Sequence, residues 1–140
     1  MASAGFLLAV LWFDLMFDVQ VRGGATDEAV ESISTYYARV TTGARPMNRL
    51  VMLAMLGLLV SLVGELVGDT VPTLVALVSL GLAVVPIGLA GARTVPTAVR
   101  LGARTDPMDV RRVAAVHVLR QHVLCLVCIA ALLLVQLTLA

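Results

Sequence analysis

From Val113 to Ala140 the chain runs for about 28 residues in which only His117, Arg120 and His122 can carry a positive charge. A helix rises 1.5 Å per residue, so this run is long enough to cross the ~30 Å hydrocarbon layer of a bilayer. Its start is marked as a helix start should be. Asp106 is a good N-cap, Pro107 suits the first helical position, and Asp109 falls in the first turn. The rest of the chain is of the same kind. With 60% hydrophobic and 14% charged residues and a mean hydropathy of +1.00, it lies outside the soluble range. At 140 residues there is room for about four spans and none for a soluble catalytic domain. Any chemistry must sit within the spans or their short loops.

The expected fold is all-α, a single integral-membrane four-helix bundle over residues 1–140 with spans at about 4–21, 50–67, 72–92 and 113–139. Asp14 and Asp18 interrupt the first span and no basic stretch precedes it, which argues against a cleaved signal peptide. Between spans one and two, Thr26 to Thr42 reads as a short interfacial helix. Thr26 caps it, Asp27, Glu28 and Glu31 fill its first turns, and Val30, Ile33 and Tyr37 recur at helical spacing. Gly43 to Arg49 is the turn into span two. Pro86 is expected to kink span three and free the carbonyl of Leu82, and Arg93 to Thr105 reads as a second basic loop. Pro46-Met47-Asn48-Arg49 opens span two much as Pro107-Met108-Asp109 opens span four. A parallel duplication would produce that echo, but so would two helices that simply use the same start signal.

All ten basic residues are arginines, a usage that reads as a GC-rich bacterial genome and hence a bacterial inner membrane. Their placement carries topology. Arg22, Arg39, Arg45 and Arg49 lie between spans one and two; Arg93, Arg100, Arg104, Arg111 and Arg112 lie between spans three and four. The positive-inside rule puts both loops in the cytoplasm and both termini outside. The bilayer is the partner the composition demands. No nucleic acid is expected, and homo-oligomerisation is left open.

Ionisable side chains inside a span are costly and normally face a protein interior or a wet cavity. Counted inward from Arg22, Asp18 lies ~6 Å and Asp14 ~12 Å deep; counted from Arg112, His117 lies ~8 Å and Arg120 ~12 Å deep. Asp14 and Asp18 share one helix face, and His117 and Arg120 share another. With spans one and four as neighbours, Asp14 is expected to pair with Arg120 and Asp18 with His117. Asn48 would lie at the mouth of this layer, and Trp12, Phe13 and Phe17 would form its apolar wall. The plain alternative is a set of ion pairs that holds helices in register.

Asp14, Asp18 and His117 are a conceivable two-carboxylate, one-histidine metal set, but Arg120 would repel the cation, so no metal is expected. His117 and His122 diverge by about 140° on one helix and do not meet at a haem. The residues specify no cofactor. Cys125 and Cys128, at i,i+3 within a helix, are too far apart for an unstrained disulfide and read as small packing residues.

Val110-Arg111-Arg112 followed by Val116-His117-Val118-Leu119-Arg120, with the stretch from Arg93 through Pro96 to Leu101, resembles the anthrone-oxygenase-like family of small four-span membrane proteins. The resemblance implies an oxidative role on a lipophilic aromatic substrate. On the residues themselves, the expectation is a polar pocket in the cytoplasmic half of the bundle that takes a hydrophobic small molecule. His117 would be the base, oriented by Asp18, and Arg120, anchored by Asp14, would stabilise an oxyanion. The rival expectation is a non-catalytic accessory or transport-related subunit whose polar layer fixes helix packing. Whether the chain is an enzyme is left open.

Overall fold

The computed structural model describes every residue but Ala44, and the side chains of Arg45 and Pro46 are also outside the described set. The part of Arg45 in the first basic loop, and of Pro46 in the echo with Pro107, therefore lies outside the described residues. The chain is 88% helical, with no strand among the described residues. Helix α1 is Ala2–Asp18, extended by a 3₁₀ turn to Val21. Helix α2, Asp27–Ala38, begins where its sequence says it should: Thr26 Oγ1 accepts from the Ala29 N–H at 3.2 Å, and Asp27 and Glu28 face the positive end of the helix dipole. A π-helical turn, Arg39–Gly43, leads to α3, Arg45–Val67.

Helix α4, Thr73–Leu89, contains the buried Pro86 without ending there. A second π-helical turn, Ala90–Thr94, joins it to α5, Val95–Ala103, so most of the basic loop expected over Arg93 to Thr105 is helical. The physical reason is burial of Ala98 and Leu101 against α2 and α6, and Pro96 is tolerated because it occupies the first turn of α5, where a missing N–H costs nothing. That helix closes on Arg104 in the left-handed conformation, φ 58°. Helix α6 is Met108–Leu139. Among the described residues, four helical segments, Ala2–Val21, Met47–Val67, Thr73–Ala103 and Met108–Leu139, are long and apolar enough to cross a membrane.

The spans pack in a ring, α1 on α3, α3 on α4, α4 on α6 and α6 on α1. Neighbours are antiparallel, since Ala4 and Leu7 near the start of α1 meet Ile129 and Leu132 near the end of α6. Lipid tails are as apolar as leucine, so close approach rather than hydrophobicity must hold such helices together. Small side chains allow it: Ala4, Ala76, Ser79 and Ala83 are completely buried. At the α3–α4 turn end, Gln136 donates to Glu65 Oε2 at 2.9 Å and to Ser79 Oγ at 3.0 Å, a polar clamp across three spans.

A second core caps the other end. Val30, Ile33 and Tyr37 of α2 pack on Ala98 and Leu101 of α5 and on Ala115 and Val118 of α6. Arg111 clasps α2 by donating to Glu31 Oε2 at 2.8 Å and to Ser34 Oγ at 2.6 Å; Arg112 pairs with Asp27 and Arg104 with Glu31. The hydrogen bond from Arg111 holds the Glu31 carboxyl below its usual range. Gly102 lets α2 and α5 touch: a Cβ there would lie 2.7 Å from the backbone nitrogen of Ala38.

Candidate functional site

Between the two cores lies a polar layer built from α1, α2 and α6. The i,i+4 spacing puts Asp14 and Asp18 on the inward face of α1. The periodicity of α2 that buries Val30 and Ile33 also buries Tyr37, and a buried tyrosine hydroxyl needs a partner. Tyr37 donates to Asp18 Oδ1 at 2.8 Å, and Tyr36 donates to Asp14 Oδ1 at 2.7 Å. Burial pushes both hydroxyls far above the ordinary phenol range, and the carboxylates of Asp14 and Asp18 add to this, so both tyrosines stay neutral donors.

The third member is His122. Its Nδ1 lies 2.6 Å from Asp18 Oδ2, and Asp18 is completely buried. An ionised carboxylate only accepts, so this bond calls for the proton on Nδ1 and leaves Nε2 as the other face of the ring. Nε2 lies 3.9 Å from Asp14 Oδ2, beyond a direct hydrogen bond. Asp14 and His122 line a cavity of about 110 Å³ together with Leu7, Met55, Pro86 and Cys125 among others. The cavity exists because α3 packs tightly only in its second half. Leu58 and Leu62 are buried, whereas Val51 and Met55 are half-buried and form a wall of the cavity.

The two expected ion pairs do not form. Asp14 and Asp18 face inward as expected, but their partners are Tyr36, Tyr37 and His122. His117 and Arg120 are exposed and line an outer groove with Arg112 and Val116. The reason is azimuth. The inward stripe of α6 is Arg111, Ala115, Val118, His122, Cys125, Ile129, Leu132 and Gln136, and His117 and Arg120 fall off it. Matching depths between two helices says nothing about which way each side chain points.

The expected apolar wall is also elsewhere. Trp12 and Phe13 are 62% and 60% exposed and flank a groove on the outside of α1 and α6. Phe17 stacks on Tyr36 with ring centroids 4.0 Å apart. Asn48 donates to the Thr41 carbonyl at 2.9 Å and holds the turn before α3. Cys125 and Cys128 are free thiols, and Cys125 Sγ donates to the Pro86 carbonyl at 3.8 Å. Among the described residues, no group of three or more His, Cys, Asp or Glu side chains is arranged to hold a metal ion.

Fold and composition together define a multi-pass helical membrane protein with a small, partly polar cavity inside the bundle. No family model, curated protein or solved structure matches the chain.

Proposed function

We propose that the chain is a membrane-embedded acid–base pocket for a lipophilic small molecule, with His122 as the working base. The observation that supports this most is the asymmetry of the imidazole. Nδ1 is held by Asp18 at 2.6 Å, while Nε2 lies 3.9 Å from Asp14, the other acid–base residue that lines the cavity with His122. A carboxylate on Nδ1 fixes the tautomer whose Nε2 accepts a proton, and it stabilises the imidazolium that results. A phenolic O–H, or a C–H beside a carbonyl, would meet Nε2 in surroundings that favour charge stabilisation over hydration. Asp14, steadied by Tyr36, would face the protonated ring.

Size narrows the substrate. An apolar cavity of ~150 Å³ takes up benzene, so 110 Å³ suits a small ring or the reactive end of a longer lipophile. The remainder would lie along the half-buried Val51 and Met55 of α3. The resemblance to the anthrone-oxygenase-like family adds an oxidative outcome on an aromatic substrate to this proposal.

The decisive comparison is between the two histidines. Small lipophilic phenols and ketones, added to the protein in lipid nanodiscs, should shift the ¹⁵N resonance of His122 Nε2. Affinity should fall at least about tenfold in His122→Ala, the worth of about 1.4 kcal/mol, and stay unchanged in His117→Ala. The opposite outcome moves the site to the outer face of α6 and overturns the proposal.

A second reading is favoured by Asp18, whose two oxygens are both bonded and fully buried. On this reading the layer locks α1, α2 and α6 in register within an accessory or transport-related subunit. With either reading we assign the Arg-rich end to the cytoplasm, α2 to the interface there, and both termini to the outside. The lysine-free composition supports a bacterial inner membrane.

A further inference from the structure

A pocket that works on an oxygenated ligand needs a hydrogen-bond donor for the ligand's oxygen as well as a base. Arg120, expected in that role, lies exposed on the outer face of α6. The residues lining the cavity that can hydrogen-bond through their side chains are Asp14, Thr94, His122 and Cys125. Cys125 gives its S–H to the Pro86 carbonyl, and Asp14 accepts from Tyr36. That leaves Thr94, which is only 2% exposed and closes the π-helical turn Ala90–Thr94.

The π-helical turn leaves its hydroxyl loosely held. Ser34, Thr35, Thr41 and Thr138 each donate to the carbonyl four residues back, at 2.7, 2.9, 2.6 and 2.7 Å. Thr94 reaches five residues back, to Leu89, at 3.4 Å. An O–H···O bond is ordinarily about 2.7–2.8 Å long. The carbonyl four residues back, that of Ala90, already accepts from the Val95 N–H. A buried hydroxyl is thus left with a poor bond for its proton, at a type of turn that recurs at functional sites. Packing sets it near His122. Cys125 meets Pro86, and Ala98 packs with Ala115 and Val118. Because α4 and α5 run antiparallel to α6, Thr94 and His122 both fall between these two contacts, within about one turn of each other along the bundle. The His122 ring is drawn to Asp18 of α1, so the two side chains come to the cavity from different helices.

We propose that Thr94 is the specificity-determining contact of this cavity: its hydroxyl leaves the Leu89 carbonyl to donate to the oxygen of a bound phenol or ketone. The inference rests on the cavity being the binding pocket proposed above. A phenol would direct its own proton toward His122 while its oxygen accepts from Thr94, and a ketone would accept from Thr94 alone. A hydrocarbon of the same shape would take neither bond and would leave the buried hydroxyl as poorly paired as before. A site built to hydrogen-bond an oxygen discriminates in this way far better than an apolar site does by size.

Phenol and toluene, which differ only in a hydroxyl for a methyl, test this when titrated against the full chain in lipid nanodiscs, with empty nanodiscs subtracted for partition. Thr94→Val keeps the shape of the side chain and removes the hydroxyl. It should weaken phenol binding about fivefold, the worth of one hydrogen bond, and leave toluene unchanged. Thr94→Ser should restore phenol binding. If Thr94→Val does not fold by circular dichroism, Thr94→Ala carries the same comparison. An equal loss for both probes would mean that the hydroxyl only steadies the π-helical turn, and overturns the assignment. So does unchanged phenol binding in Thr94→Val. In that case a loss of phenol binding in His122→Ala would keep the pocket and remove only Thr94 from it. Phenol binding that is indifferent to both residues overturns the pocket and this inference together.

Discussion

Asp18 has no exposure, and both of its carboxylate oxygens are taken, one by Tyr37 at 2.8 Å and the other by His122 at 2.6 Å. What that arrangement contributes depends on charge. Hydrogen bonds between neutral groups in membrane proteins couple by only about 0.6 kcal/mol, with a maximum near 1.7. A hydrogen bond to a charged group contributes about 1.5–3 kcal/mol, because removing its donor leaves the buried carboxylate short of a partner. Asp18→Ala and His122→Ala should therefore each destabilise the bundle in SDS-titration unfolding, with the double variant better than their sum by about 1.5–3 kcal/mol. A coupling below ~1 kcal/mol would mean a neutral pair, and with it a poor base at His122. Half of this site was legible beforehand. Two aspartates at i,i+4 within a span must face protein, and they do. Depth matching alone selects His117, because it does not say which face of α6 is turned inward. The spacing of Ala115, Val118, His122, Cys125, Ile129 and Leu132, alternating three and four residues, held that direction. Tyr36 left no such trace, since it reaches Asp14 from the edge of the amphipathic face of α2.

At the scale of elements, α2 is the piece that completes the site, and its seat on α5 is set by one glycine. A Cβ on Gly102 would come within 2.7 Å of Ala38 N and 2.9 Å of the Tyr37 carbonyl carbon, both backbone atoms that cannot step aside. Alanine gains about 1 kcal/mol over glycine in helix propensity, but overpacking against fixed backbone costs about 1–3 kcal/mol, so the clash should win. Gly102→Ala should lower stability and loosen Tyr37 from Asp18, seen as faster hydrogen exchange across α2. Gly88→Ala, whose Cβ meets nothing within 4 Å, should be neutral or slightly stabilising. If both substitutions stabilise alike, α2 is not seated as described. The helix itself was readable from Thr26, Asp27 and Glu28, since a cap and an acidic first turn are local signals. The helical course of Val95–Ala103 was not. It follows from a π-helical turn at Ala90–Thr94 that carries the chain onward from α4, and from packing of Ala98 and Leu101 in the second core. No short-range signal announces either.

At the scale of the whole molecule, the charged and apolar ends divide cleanly. The layer of α2, α5 and the first turns of α6 carries Arg100, Arg104, Arg111 and Arg112, whereas the α3–α4 turn holds Asp69 and no arginine. Four apolar segments and this asymmetry were both visible in the sequence, because length and charge distribution need no tertiary information. The ring order of the spans needed packing. Arginines within ~15–20 residues of span ends decide orientation, and on the orientation proposed above α2 and α5 lie on the cytoplasmic side and Asp69 outside. Single cysteines at exposed Arg39, Arg100 and Asp69, in a Cys125→Ala, Cys128→Ala background, should report this directly. A membrane-impermeant maleimide added to intact cells should label the Asp69 position, and should reach the other two only after the membrane is opened. The reverse pattern would turn the molecule over. The layer of α2 and α5 would then lie outside against the charge rule, and the cavity beside His122 would have to be assigned to the other half of the membrane.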